Sequence, residues 1–118
     1  MTLNRELEGQ VLLVTGAAGG IGRAIALAAG AAGARVVVSD VREGEGQATA
    51  ELIRAGGGEA LFVACDVSDA AEVDALMAAA VSHFGRLDVL VNNAGVAGEG
   101  VRAHELDIGA WDRVLAVN

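Results

Sequence analysis

The 118 residues carry 16 acidic and 8 basic side chains, a formal net charge of −8, and every one of those cations is an arginine set singly along the chain. That balance argues against nucleic acid and anionic membrane as partners, since both call for a basic face. One cysteine, Cys65, excludes an internal disulfide and suits a reducing, cytoplasmic setting.

The first ten residues are charged and have no apolar core, as expected of a chain without a secretory signal. Residues 11–14, Val-Leu-Leu-Val, form a short apolar run that leads into Thr15-Gly16-Ala17-Ala18-Gly19-Gly20-Ile21-Gly22. Ile21, Ala24, Ile25, Ala28 and Ala32 then recur at helical spacing. The alanine-rich stretch 24–34 is broken by glycine and too short to span a bilayer. Arg35 opens a second apolar run that ends on Asp40, and Ala48, Leu52 and Ile53 mark a weaker helix stopped by Gly56-Gly57-Gly58. A third run, 60–65, ends on Asp66. Val73, Leu76, Met77, Ala80, Val81 and Phe84 trace one helix face, with Asp69 as N-cap and Gly85 as the stop. Residues 87–91 make a fourth run, closed by Asn92-Asn93-Ala94-Gly95. Ile108, Trp111, Val114, Leu115 and Asn118 share one face of a last helix.

Near-continuous apolar runs separated by helices predict an α/β fold, a parallel sheet covered on both faces and doubly wound in the order 3-2-1-4. With 25 alanines and only three aromatic residues, its core must rest on close backbone approach rather than bulky side chains.

The glycine loop carries the first chemical signal. A strand running into glycines that open a helix sets backbone N–H groups at the positive end of the helix dipole, where a pyrophosphate binds. Gly16 would allow the turn off the strand, Gly20 the approach of phosphates, and Gly22 close helix packing. The bland alternative is an ordinary turn in a glycine-rich chain; the strand–loop–helix context favours dinucleotide binding. Asp40 follows Gly22 by 18 residues, near the spacing of about 20 that sets an acid on the adenosine ribose. Such a carboxylate accepts ribose hydroxyls at roughly 1.5–3 kcal/mol each. It repels a 2′-phosphate by up to about 4 kcal/mol per contact at an effective dielectric of 20. With Gly19 where a basic side chain could have held that phosphate, this favours NAD over NADP; Arg42 is the dissenting residue. The alternative for Asp40 is a solvated acid at a strand end. Asp66 and Val67 suit the adenine, or else Asp66 or Ser68 caps the next helix. The amides of Asn92 and Asn93 can tie adjacent strand ends together, and the small Ala94 and Gly95 leave room for a ribose. Asn118, on an apolar helix face, either is satisfied by backbone or water or joins a polar network open to the site. His83 and His104 lack metal-ligand partners, and Cys65 reads as packing.

These residues resemble the N-terminal half of the short-chain dehydrogenase/reductases. Thr15 to Gly22 is similar to that family's cofactor loop, Cys65-Asp66-Val67 to its adenine-contact motif, residues 87–95 to its strand and NNAG segment, and Trp111 to Asn118 to the helix bearing the asparagine of its Asn-Ser-Tyr-Lys tetrad. The resemblance runs from about Glu8 to Asn118. It implies a Rossmann-type sheet, here truncated after the fourth strand and the start of the following helix, and hydride transfer between NAD(H) and a small alcohol or carbonyl substrate. The cofactor residues it implies are Thr15, Gly16, Gly19, Gly20, Ile21, Gly22, Asp40, Asp66, Val67, Asn92, Ala94 and Gly95. The catalytic one is Asn118; no metal is implied. The tyrosine and lysine of the tetrad have no counterpart, because the chain contains neither residue type. The expectation is therefore part of a longer single domain, inactive alone, prone to associate through the exposed edge at 87–91, and a homo-oligomer at full length. The competing readings are a dinucleotide-binding module without chemistry and a subunit completed by a partner chain.

Overall fold

The structure is a computed structural model and describes residues 6–93. The sequence readings at Ala94, Gly95, His104, Trp111 and Asn118 lie outside the described residues. Strands β1 (Val11–Thr15), β2 (Arg35–Asp40), β3 (Glu59–Ala64) and β4 (Val89–Val91) alternate with helices α1 (Gly20–Ala31), α2 (Glu43–Ala55) and α3 (Ala70–Phe84). All strand pairs are parallel and the order is β3-β2-β1-β4, as the runs predict. Leu13 stands level with Val37 on one side and Leu90 on the other.

Strand residues alternate between two cores. Val11, Leu13 and Val37 pack with Val73, Leu76, Met77 and Ala80 of α3. Leu12, Val14, Val36 and Val38 pack with Ala26 and Ala29 of α1 and Ala50 and Ile53 of α2. Both sheet faces are covered, which is why the strands read as continuous apolar runs.

In the first two helices the residues whose spacing marks the helix are mostly not the ones that face inward. In α1 the buried residues are Gly22, Ala26 and Ala29, while Ile21 is 72% exposed and Ala24 and Ala28 face out. The smallest residues face inward because α1 packs at backbone distance. A Cβ on Gly22 would overlap the Gly16 carbonyl, and one on Gly30 would meet Ile53 Cγ2 at 2.8 Å. In α2 the inward residues are Gly46, Thr49, Ala50 and Ile53, whereas Ala48 and Leu52 are exposed. There the Phe62 ring fills the space of the missing Gly46 side chain, 2.6 Å from the Cβ position at Cδ1. The α3 face follows the sequence reading. Asp69 caps it, accepting from the N–H of Ala71 (2.9 Å) and Glu72 (3.3 Å), and left-handed Gly85 ends it.

Two boundaries also move. β3 ends at Ala64, so Asp66 lies in the turn beyond the strand rather than at its end. β4 begins at Val89, after the buried Leu87. Asp88 sets its register: Oδ2 accepts from the Val11 N–H at 2.8 Å, while the Asp88 N–H donates to the Val11 carbonyl at 2.9 Å.

Candidate functional site

Parallel strands deliver Thr15, Asp40, Ala64 and Val91 to one edge of the sheet. The loop between β1 and α1 lies along that edge, and two of its consecutive peptide groups are each held from both sides. In the first, the Gly16 carbonyl accepts from Asn93 Nδ2 at 3.2 Å and the Ala17 N–H donates to the Ser39 carbonyl at 3.0 Å. In the second, the Ala17 carbonyl accepts from the Thr49 hydroxyl at 2.9 Å and the Ala18 N–H donates to Asp40 Oδ2 at 3.0 Å. A trans peptide points its C=O and N–H in opposite directions, so neither plane can turn without losing bonds at both ends.

Beyond these two clamps α1 begins. Its N-cap, Gly19, has extended backbone and makes no side-chain cap, and the first turn contains no acid. The opening N–H groups of a helix have no acceptor within it, and the dipole adds positive potential there. Gly20 has φ +57°, and a Cβ placed on it would meet nothing within 4 Å. This glycine is required by its left-handed backbone, and it faces open space. Gly22 has the opposite reason, its missing side chain being replaced by the Gly16 carbonyl and by Asn93 Nδ2 at 2.6 Å. The result is an uncapped helix N-terminus with glycine at 19, 20 and 22, suited to an extended anion.

Asp40 is only 7% exposed, which removes the reading of it as a solvated strand-end acid. Besides the Ala18 N–H on Oδ2, its Oδ1 accepts the Arg42 N–H at 3.0 Å and lies 3.4 Å from Arg42 Nε. Burial alone would raise its carboxyl, but hydrogen bonds from Arg42 and Ala18 backbone and from the Arg42 guanidinium outweigh it and hold the group below the ordinary aspartate value. Arg42 is half exposed, pairs also with Glu45 at 3.1 Å, and rests 3.5 Å from the Cβ position of Gly19. The dissenting cation thus lies over the loop, drawn in by two acids.

The third edge position is built differently. Asp66 Oδ1 accepts from the Ser68 N–H at 2.9 Å and hydroxyl at 2.6 Å, hydrogen bonds that lower its pKa, and the carboxylate is exposed. The capping alternative for Asp66 or Ser68 is not what forms, since Asp69 caps α3. Val67 packs against the α3-side core. On the far side, Thr15 Oγ1 donates to Asn92 Oδ1 at 3.0 Å, so both asparagines tie β1 to the end of β4, as read from their amides.

Sequence reasoning missed Thr49 and Arg23. Thr49 is fully buried, and Arg23 Nε donates to its hydroxyl at 3.0 Å. A threonine in an otherwise polar stretch gives no apolar periodicity; the signal available was the helix face it shares with Gly46, Ala50 and Ile53. Among the described residues no group of three His, Cys, Asp or Glu side chains is placed to hold a metal ion. Nor, among them, is any helix long and apolar enough to cross a membrane.

Known proteins share this fold. A short chain dehydrogenase family model matches residues 10–118. The cis-4-hydroxycyclohexanecarboxylate dehydrogenase of Sinomonas cyclohexanicum is 48% identical over 109 residues, 92% of this chain and 43% of that protein. Among solved structures, a 7α-hydroxysteroid dehydrogenase complexed with NADH and 7-oxo glycochenodeoxycholic acid superposes with a TM-score of 0.81 at 35% identity, over 97% of this chain and 48% of that one. A metagenomic short-chain oxidoreductase in complex with NADP gives 0.75 at 44% identity, over 94% and 50%. The chain spans less than half the length of the curated relatives it matches.

Proposed function

The chain belongs to the short chain dehydrogenase family of oxidoreductases, and from that premise we propose that it is the cofactor-binding half of a dehydrogenase working between NAD(H) and an alcohol or carbonyl substrate. One observation carries the reading: two clamped loop peptides lead into an uncapped helix N-terminus faced by open space at Gly20. The donor set fits the diphosphate bridge of a dinucleotide, which needs several N–H donors, positive potential and no side chains in the way.

In this reading the amides of Gly19, Gly20, Ile21 and Gly22 hold the diphosphate, with Thr15 and Gly16 shaping the turn. Asp40 takes the adenosine ribose. Its carboxylate has about four acceptor positions, three of them used by Ala18 and Arg42. The half-exposed Arg42 guanidinium is held at 3.4 Å and gives way to a ribose hydroxyl at little cost. The acid remains fixed in place by the backbone N–H groups of Ala18 and Arg42. Asp66 and Val67 flank the adenine, and Asn92, Ala94 and Gly95 the ribose of the other nucleotide. NAD is preferred over NADP because a 2′-phosphate would meet the Asp40 charge. A nicotinamide cofactor bound there would supply or accept the hydride. What this chain contributes is position: Asn118, by resemblance, supports the polar network behind the reacting groups.

The tyrosine and lysine that the resemblance implies for proton transfer have no counterpart among these residues, which include neither type. We therefore assign residues 1–118 to the N-terminal part of a longer single domain, inactive alone. The same absence is what favours the second reading, a dinucleotide-binding module without chemistry. Titration with NADH and NADPH, followed by a hydride-transfer assay on this chain and on a version extended by the missing half, separates them. Tight NADH binding with activity only in the extended version is the expected result. Inactivity of both with binding intact would favour the module, and absence of NADH binding would overturn the assignment.

A further inference from the structure

We propose that Thr49, on α2 and remote in sequence from the glycine loop, is a positioning residue for cofactor binding: it holds the Ala17–Ala18 peptide plane in the orientation that presents the α1 N-terminal amides. The inference rests on the dinucleotide reading above and adds a residue to it.

Proton bookkeeping at the Thr49 hydroxyl fixes the direction of the network. Arg23 can only donate, and its Nε lies 3.0 Å from Thr49 Oγ1. The hydroxyl must accept there, which leaves its single proton for a carbonyl. Two are within reach, Ala17 on the loop at 2.9 Å and Glu45 one turn back in α2 at 3.3 Å. The shorter contact lies in the buried interior and takes the proton, while the longer one is the weak back-bond usual for a helical threonine. Arg23 is anchored in turn by its Nη2 on the Glu45 carbonyl at 3.4 Å.

This small network joins three elements. Arg23 stands in the first turn of α1, Thr49 on α2, and Ala17 in the loop between β1 and α1. Asp40 holds the N–H end of the same peptide from β2. Without the Thr49 hydroxyl the buried Ala17 carbonyl loses its donor and the plane is held at its N–H end alone, so the loop that leads into the α1 amides is less firmly fixed. Placing a polar residue with 0% exposure on the inward face of α2 is otherwise costly, and its bonds to the loop and to Arg23 offset that cost.

The test compares Thr49→Val, which keeps the shape and loses the hydroxyl, with Thr49→Ser, which keeps the hydroxyl and loses a methyl. Both are measured by titration with NADH and with adenosine, which lacks phosphate. Loss of one buried hydrogen bond corresponds to about a tenfold change. Thr49→Val is expected to bind NADH about tenfold more weakly while adenosine affinity stays within about twofold, and Thr49→Ser to match wild type for both. Equal NADH affinity in Thr49→Val and wild type overturns the proposal, as does equal weakening for NADH and adenosine. If the valine variant does not fold, the serine variant decides: weakened NADH binding there assigns the effect to packing and overturns the role of the hydroxyl. Failure of the parent reading is distinguishable, because then wild type itself binds no NADH.

Discussion

Replacing Gly22 with alanine sets two known effects against each other. Helix propensity alone favours alanine within a helix by about 1 kcal/mol. Packing opposes it: the added Cβ would stand 2.6 Å from Asn93 Nδ2 and 2.8 Å from the Gly16 carbonyl carbon, and closer still to its oxygen. Two of these are backbone atoms that cannot rotate away. Overpacking of this kind costs about 1–3 kcal/mol, and losing the Asn93 bond to Gly16 adds about 1 kcal/mol. The balance is a net loss of about 1–3 kcal/mol. Gly20→Ala makes the contrast. Its Cβ meets nothing within 4 Å, so its penalty is the left-handed backbone alone, about 1–2 kcal/mol, partly offset by a stiffer unfolded chain. Thermal unfolding should therefore show Gly22→Ala melting lower than Gly20→Ala, by about 4–8 °C for each kcal/mol between them. NADH titration should show the reverse emphasis. Gly20→Ala stays folded yet loses at least about tenfold in affinity, because its methyl occupies the space that the phosphates approach. A Gly22→Ala protein as stable as wild type would refute the packing argument, and undiminished NADH binding by Gly20→Ala would refute the argument for phosphate approach.

Asp40→Asn keeps an acceptor for the Ala18 N–H and removes the charge, so the preference for NADH over NADPH should narrow by about tenfold or more; an unchanged ratio of the two affinities would count against Asp40 as the discriminator. Because the folded-state Asp40 carboxyl titrates below its ordinary value, its stabilising contribution is complete above the unfolded value and is lost as pH falls through the lowered one. Chemical denaturation of wild type and Asp40→Asn should therefore converge only at strongly acid pH. Asp88 obeys the same sign rule: burial opposes its ionisation, but Arg86 and the Val11 N–H lower its pKa. Asp88→Asn should cost about 1 kcal/mol at neutral pH, modest because Arg86 faces solvent, and nothing once wild-type Asp88 is protonated. Equal urea midpoints at neutral pH would contradict it. Cys65, 3% exposed, should react with a thiol reagent only on unfolding, and fast labelling of the native protein would show that the end of β3 opens.

Strand order and the three helices among the described residues were readable because they depend on signals that survive in one sequence. The apolar runs end on Asp40 and Val91, the Asp69 and Gly85 caps bracket α3, and right-handed crossovers leave few topologies. The glycine loop was legible for the same reason: Gly20 and Gly22 are needed by their own backbone and neighbours. The faces of α1 and α2 were not. In an alanine-rich helix the moment of Ile21 and Ile25 suggests a buried stripe, while the actual contact is made where Gly22 lets the helix close on the Gly16 carbonyl and Gly30 makes room for the Ile53 side chain. Thr49 was hidden by the same rule, since a hydroxyl looks like surface until the Ala17 carbonyl that it serves is known. Asp66 shows the converse, a residue whose local bonds to Ser68 account for its position without any ligand.

The account depends most on the amides that open α1. Amide nitrogen and proton shifts followed during titration with NADH, and separately with adenosine, test it directly. The predicted result is large shifts at Gly19, Gly20, Ile21 and Gly22 with NADH and small ones with adenosine. NADH binding that leaves those four amides unmoved would contradict the account.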